Sequence, residues 1–135
     1  MKIHYNRCSS GEGFTLSEFD VDMKTYINNF TELEGDSNSR FAIILLSSDV
    51  SHTNYNKIIY SNDIDECEQL VFNWLNRSKN IQDMWEVTHF YSSIVDFKQN
   101  KELAYGDSWN NGSASWQQFN GISEKELIKH EKTDK

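Results

Sequence analysis

The sequence predicts an α+β fold in two layers, a mostly antiparallel sheet with two main helices packed on one of its faces. Two segments repeat apolar residues at helical spacing, and the rest alternates or forms short apolar runs that are typical of strands. The chain of 135 residues has the size of one domain, and 13% of its residues are aromatic, enough for one core. We therefore predict a single domain over residues 1–135, with a frayed polar C-terminus from about residue 131.

The strand prediction depends most on residues 41–46, a continuous apolar run bounded by turn residues, which is typical of a central strand buried on both faces. Residues 57–60 are the expected return strand, and the alternation over residues 85–97 predicts a long strand. The remaining strand and turn predictions are a first strand at 2–8, a hairpin turn at 98–101 with a return at 103–105, and a last strand at 114–119.

The first helix is predicted from a capping box formed by Thr15 and Glu18. Apolar residues then recur every three or four positions as one buried face: Leu16, Phe19, Met23, Tyr26, Ile27, Phe30 and Leu33. Asp20 or Asp22 would cap a shorter version of this helix.

The second helix is predicted to begin at Asp63 or Asp65, either of which is a favourable N-cap. Its expected buried face is Ile64, Cys67, Leu70, Val71, Trp74 and Leu75.

Net charge restricts the class of partner. The chain carries 21 acidic and 13 basic residues, for a formal charge of −8. Such a chain is poorly suited to bind nucleic acid or anionic lipid, because phosphate attracts lysine and arginine. A basic protein partner is favoured instead, since opposite fields accelerate encounter. We expect a monomer or weak dimer.

The sequence contains no recognisable catalytic, cofactor or metal motif, so we expect neither an enzyme nor a cofactor. His89, in the long strand, and His52, in a polar loop, are the histidines whose chemistry merits a test. Cys8 and Cys67 match no zinc or redox spacing, and a disulfide between them stays open. No leader opens the sequence and no apolar run reaches the roughly 20 residues of a membrane span, so we expect a cytoplasmic protein.

Two features are candidate partner-binding residues. The first is an acidic cluster at the start of the second helix, which serves either as cap and dipole partner or as an interface: Asp63, Asp65, Glu66 and Glu68. The second is the segment 105–119, where Trp109 and Trp116 stand among Asn, Gly, Ser and Gln, a mixture typical of recognition surfaces. Both tryptophans would equally serve to anchor a loop to the core.

Residues 18–26, followed by Phe30 and the run 41–46, resemble the opening of some immunity proteins of bacterial contact-dependent inhibition systems. In those proteins an acidic, aromatic helix precedes an apolar strand that contains Ala. The resemblance covers about a quarter of the chain and carries no invariant motif. It implies a small cytoplasmic inhibitor that binds a toxin nuclease, and it assigns no binding residue.

Three functional hypotheses follow. The first is an immunity-type inhibitor that neutralises a basic toxin by tight, non-catalytic binding. The second is a phage or mobile-element antagonist of a host defence nuclease, of the anti-CRISPR type. A continuous acidic stripe on the surface would favour this hypothesis. The third is an enzyme with an unfamiliar site. A pocket that joins His89 or His52 to a carboxylate would favour this hypothesis.

Overall fold

The computed structural model describes residues 1–5, 17–49, 54–76, 88–110 and 115–119. Eight strands and two helices form within these ranges. The strands are Lys2–Tyr5 (β1), Ser17–Asp20 (β2), Glu32–Glu34 (β3), Phe41–Asp49 (β4), Asn54–Ser61 (β5), Thr88–Asp96 (β6), Lys101–Asn110 (β7) and Ser115–Phe119 (β8). The helices are Met23–Ile27 (α1) and Ile64–Leu75 (α2).

The main sheet has six strands in the order β3-β5-β4-β6-β7-β8. Every neighbouring pair in this sheet is antiparallel except β3 and β5, which run parallel. Strands β1 and β2 form a separate antiparallel hairpin. The predicted α+β fold with a mostly antiparallel sheet is confirmed.

Strand β4 divides the core into two layers. Ile43 and Leu45 face one cluster and Ala42 and Ile44 face the other, because successive side chains of a strand point to opposite faces. All four are buried, as predicted for a central strand. Each large aliphatic side chain that is withdrawn from water in this way contributes roughly 1.5–3 kcal/mol to stability.

The two helices lie on opposite faces of the sheet, which differs from the predicted placement on one face. The α2 residues Val71 and Leu75 pack with Ile43, whereas Met23 of α1 packs with Ile44 and with Ile3 of β1. The sheet is therefore covered by α2 on one face and by the β1–β2 hairpin with α1 on the other. A one-sided arrangement would have left the apolar residues Ala42, Ile44 and Ile58 without cover.

The long first helix predicted over residues 16–33 is wrong. Residues 17–20 pair with β1 instead, α1 spans only five residues, and residues 32–34 join β5 as an edge strand. Asp22 caps this short helix, since its side chain accepts a hydrogen bond from the amide of Lys24. Phe19 and Leu33, both assigned to the buried face, are 48% and 57% exposed. Apolar spacing alone did not reveal that non-local strand pairing would take both ends of this segment.

The second helix matches its prediction. Asp63 is the N-cap, and five of the six predicted core residues are buried, while Leu70 is half-buried. Strand β5 returns beside β4 as predicted, and a turn at residues 97–100, one position before the predicted 98–101, joins β6 to β7. The predicted last strand is present as β8, which pairs with β7. The predictions for Cys8, His52, residues 85–87 and the end of the chain from 120 lie outside the described residues.

Candidate functional site

The strand registers bring several chain segments to one end of the sheet. Phe41 at the start of β4 pairs with Ser61 at the end of β5 and with Asp96 at the end of β6. Helix α2 begins just after β5, so its first turn also lies at this end. Strand β3 runs parallel to β5 and ends beside Ile59, which brings its C-terminus to the same place.

The connection after β3 is held against the turn that precedes α2. Gly35 has a φ of 91°, and a Cβ at this position would lie 2.7 Å from the carbonyl oxygen of Tyr60, so the backbones are in close approach. The amide of Arg40 donates a 2.8 Å hydrogen bond to the Asn62 side chain. The loop between β3 and β4 and the turn before α2 thus form one surface.

Five exposed carboxylates lie on this surface, which we call the acidic end: Glu34, Asp36, Asp63, Asp65 and Glu66. Two come from the β3 side and three from α2. The sequence prediction included only the residues at the start of α2, which are neighbours in sequence. Glu68, the fourth residue of the predicted acidic cluster, is half-buried and lies farther along α2.

The three carboxylates of α2 have different roles. Asp63 accepts hydrogen bonds from the amides of Asp65 at 3.0 Å and Glu66 at 3.4 Å, which is the capping role. Asp65 and Glu66 stand in the first turn, where the helix dipole favours negative charge by roughly 0.3–1 kcal/mol. Their exposed side chains remain available to a partner.

Two basic side chains near the acidic end, Arg40 and Lys57, form ion pairs with carboxylates of the same chain. Arg40 binds Asp96 through two hydrogen bonds of 3.0 and 2.8 Å and lies over the ring of Phe41. Lys57 lies 3.3 Å from Glu34, in a solvent-exposed pair worth about 0–1 kcal/mol. Lys98 and Lys101 are at the same end of the sheet but on the β6–β7 side, away from β3 and α2.

Asp96 is a buried carboxylate whose charge is compensated locally. Burial by itself would raise its pKa, but the hydrogen bonds from Arg40 and from the amide of Lys98 outweigh burial, and the pKa is lowered. Asp96 is therefore ionised at neutral pH and joins the start of β4 to the end of β6.

Trp109 and Trp116 lie far from the acidic end. They occupy directly opposite positions in β7 and β8, and β8 is the edge of the sheet opposite to β3. Trp109 also pairs with His89, at the far end of the strands. The acidic cluster and the tryptophan pair therefore occupy diagonally opposite corners of the sheet and do not form one surface.

His89 is joined to a carboxylate, as the enzyme hypothesis requires. Its Nε2 lies 3.1 Å from Oδ2 of Asp107. However, the side chains of His89 and Asp107 are only 4% and 1% exposed. The pair bridges β6 and β7 and has almost no solvent-exposed surface.

Glu102 is another buried carboxylate, and it accepts hydrogen bonds from several residues that the sequence pattern did not bring together. It accepts hydrogen bonds from the amide of His4 at 3.1 Å, the hydroxyl of Ser93 at 2.5 Å and the hydroxyl of Tyr91 at 3.3 Å. The ring Nδ1 of His4 lies 2.7 Å from its carboxylate, and that ring stacks on Tyr105 at 3.8 Å. The cluster joins β1 to β6 and β7.

A β-bulge explains why this cluster was missed. Ile94 pairs with Ala104 but Val95 pairs with Glu102, so Leu103 is an extra residue in β7. The bulge places Glu102 on the same face as Tyr105, whereas strict alternation would have placed them on opposite faces. Burial raises the pKa of Glu102, although the hydrogen bonds from Ser93 and His4 act in the other direction.

Cys67 is a buried free thiol on α2. Burial raises its pKa to about 12, which the hydrogen bond to Ser61 only partly offsets. This thiol is therefore protonated and unreactive at neutral pH. Across the described residues no three His, Cys, Asp or Glu side chains are grouped so that they could hold a metal ion.

None of the helices in the described part of the chain has the length and apolar character needed to cross a membrane. Comparison with known proteins adds no relative: no protein family, no curated protein and no solved structure matches this chain.

Proposed function

We propose that this protein is a small inhibitor of the immunity-protein type, which binds a basic toxin domain, most simply a nuclease, and blocks it without catalysis. The observation that carries the proposal is the acidic end, where exposed carboxylates from β3 and α2 converge on one surface. In this proposal the inhibitor acts in the cytoplasm as a monomer or weak dimer.

Electrostatics supports this choice of partner. A chain with a formal charge of −8 attracts a basic protein over a distance set by the ionic strength, about 8–10 Å in physiological salt. Grouping the carboxylates in one place orients the encounter, which raises the association rate and disfavours acidic partners. A nuclease active-site cleft is basic because it binds phosphate, so it matches this surface in charge.

The buried histidine pair supports the inhibitor over the enzyme hypothesis. A catalytic base must reach the proton that it abstracts, directly or through one water. His89 and Asp107 meet the requirement for a paired carboxylate but are enclosed in the protein interior. The other carboxylate that contacts a histidine is Glu102, whose side chain is also buried (4% exposed) and joins β1 to the sheet through His4.

The test is capture with this chain as bait from the source cells, followed by an activity assay on the captured protein. We expect a basic nuclease or toxin whose activity falls when the chain is added in equal amount. A captured host defence nuclease would instead favour the antagonist hypothesis. A well-folded bait that captures nothing and inhibits no co-encoded toxin would contradict both.

The acidic end is tested with a charge-matched pair of variants. Asp65→Asn with Glu66→Gln raises the net charge by about two units at the acidic end. Gln69→Lys with Asn73→Lys raises it equally on exposed positions farther along α2. We expect the first variant to slow association more than the second at low salt. Equal effects would mean that only net charge matters and would remove the acidic end from the proposal.

A further inference from the structure

Within the part of the chain that the structure describes, strand β3 is one edge of the six-stranded sheet. All three of its residues are exposed, with Leu33 at 57% and the Glu34 side chain at 61%. An edge strand has backbone N–H and C=O groups on its outer side that can pair with another strand. Among the described strands, none pairs with β3 on its outer side.

The side chains of β3 present different chemistry on the two faces. Glu34 is opposite Ile59, which packs under α2, so Glu32 and Glu34 share the face of α2. Leu33 is opposite Ile58, whose side chain packs on the other face. A strand added beside β3 would therefore meet two carboxylates on one face and an apolar side chain on the other.

A second copy of this chain is a poor occupant of the edge. Antiparallel pairing of two β3 strands about Leu33 would place Glu32 of one copy opposite Glu34 of the other, twice. Like charges directly opposite each other destabilise a strand pair. The acidic residues thus protect the edge from self-association, and they select a strand of opposite charge.

We propose that β3 is the docking edge for a strand of a basic partner, which extends the sheet. Alternate lysine or arginine side chains of that strand face Glu32 and Glu34, and the intervening apolar side chain lies beside Leu33. The identity of the partner rests on the proposed function, whereas the edge and its required sequence pattern do not. The acidic end continues from Glu34 toward α2, so a longer partner would contact both.

The first experiment uses two capped synthetic hexapeptides with the same composition. One alternates lysine and valine, and the other has its lysines in one block followed by its valines. Binding is followed by backbone amide chemical shifts of the full chain. The alternating peptide can place a complementary side chain opposite each of the three residues of β3. These three cross-strand pairs should make it bind about tenfold more tightly than the block peptide. We expect its shifts to centre on residues 32–34 and on β5.

Charge reversal then locates the site. Glu32→Lys with Glu34→Lys should weaken binding of the alternating peptide by about tenfold, since two opposite-charge pairs become like-charge pairs. Asp65→Lys with Glu66→Lys makes the same charge change on α2 and should weaken it less. If the lysine variant of β3 unfolds, Glu32→Gln with Glu34→Gln provides the same comparison with a smaller perturbation.

The possible failures are distinguishable. Equal affinity for the two peptides, or shifts centred away from β3, would overturn strand addition whatever the protein inhibits. A toxin that is captured and inhibited with unchanged affinity by the β3 variant would leave the proposed function standing and remove the edge from it. Binding of the alternating peptide at β3 with no toxin captured would support the edge and contradict the inhibitor.

Discussion

His4 and Glu102 are separated by 98 positions in the sequence, yet Nδ1 of His4 lies 2.7 Å from Oε1 of Glu102. The His4 side chain is 25% exposed and that of Glu102 only 4%. The amide of His4 also donates to the same carboxylate. Both the backbone and the ring of His4, in β1, therefore bind Glu102 of β7. One side chain therefore fastens the N-terminal hairpin to the sheet.

Replacement of Glu102 by glutamine should lower the free energy of unfolding by about 1.5–3 kcal/mol. An amide offers one acceptor oxygen where the carboxylate offers two, and it leaves donors from His4 or Ser93 unsatisfied in the interior. Urea unfolding measures the change. Glu66→Gln, at an exposed position, is the matched control and should change stability by no more than about 1 kcal/mol, the upper value for its interaction with the helix dipole. Equal values for the two variants would mean that the cluster contributes nothing specific.

Asp96 should make folding stability depend on pH in the acid range. Its pKa is lowered in the folded state, so its stabilising contribution is present above the unfolded pKa of about 3.9 and is lost as pH falls through the folded pKa. Asp96→Asn should therefore cost about 1.5–3 kcal/mol near neutral pH and progressively less below about pH 4.

The measurement for Asp96 is urea unfolding of both proteins across this pH range. Asp36→Asn is the control, because Asp36 is exposed and an asparagine can still accept from the amide of Asn38. A difference between the parent and Asp96→Asn that stays constant with pH would contradict the assigned pKa shift.

Cys67 should resist thiol reagents in the folded protein. The thiol is fully buried and its pKa is about 12, so almost no thiolate is present at mildly alkaline pH. In a Cys8→Ser background, iodoacetamide should label Cys67 at least about 100-fold more slowly in buffer than in concentrated guanidinium chloride. Mass spectrometry follows the labelling. Comparable rates would show that α2 opens readily or that the thiol is accessible.

Gly35→Ala should destabilise the protein by about 1–3 kcal/mol. The residue has a positive φ of 91°, and the added Cβ would lie 2.7 Å from the Tyr60 carbonyl oxygen, which is backbone and has little room to move. Ser37→Ala, in the same exposed loop, should be near neutral. Thermal unfolding of the two variants compares them, and a neutral Gly35→Ala would mean that the loop relaxes at no cost.

Caps and apolar spacing in the sequence predicted the correct element where the apolar residues are also buried in the structure. In α2, Asp63 caps the first turn and residues such as Cys67 and Val71 recur toward the core, so cap, spacing and burial indicate the same helix. In β4, the apolar run from Phe41 is too short for a buried helix and fits a strand between two layers. The candidate surface was predicted only in its α2 part, from residues that are neighbours in sequence.

The sequence by itself determined the α+β class, the central strand, the second helix and the acidity of the chain. Only the tertiary structure decided that residues 17–20 and 32–34 are strands, because their pairing partners β1 and β5 lie outside this segment and leave no trace in its apolar spacing. It also decided which residues meet: the extra residue Leu103 moves Glu102 to the face of Tyr105, and the parallel pairing of β3 with β5 carries Glu34 and Asp36 to α2. A periodic pattern specifies which residues share a face, but neither the register nor the neighbour of a strand, and these two set the site.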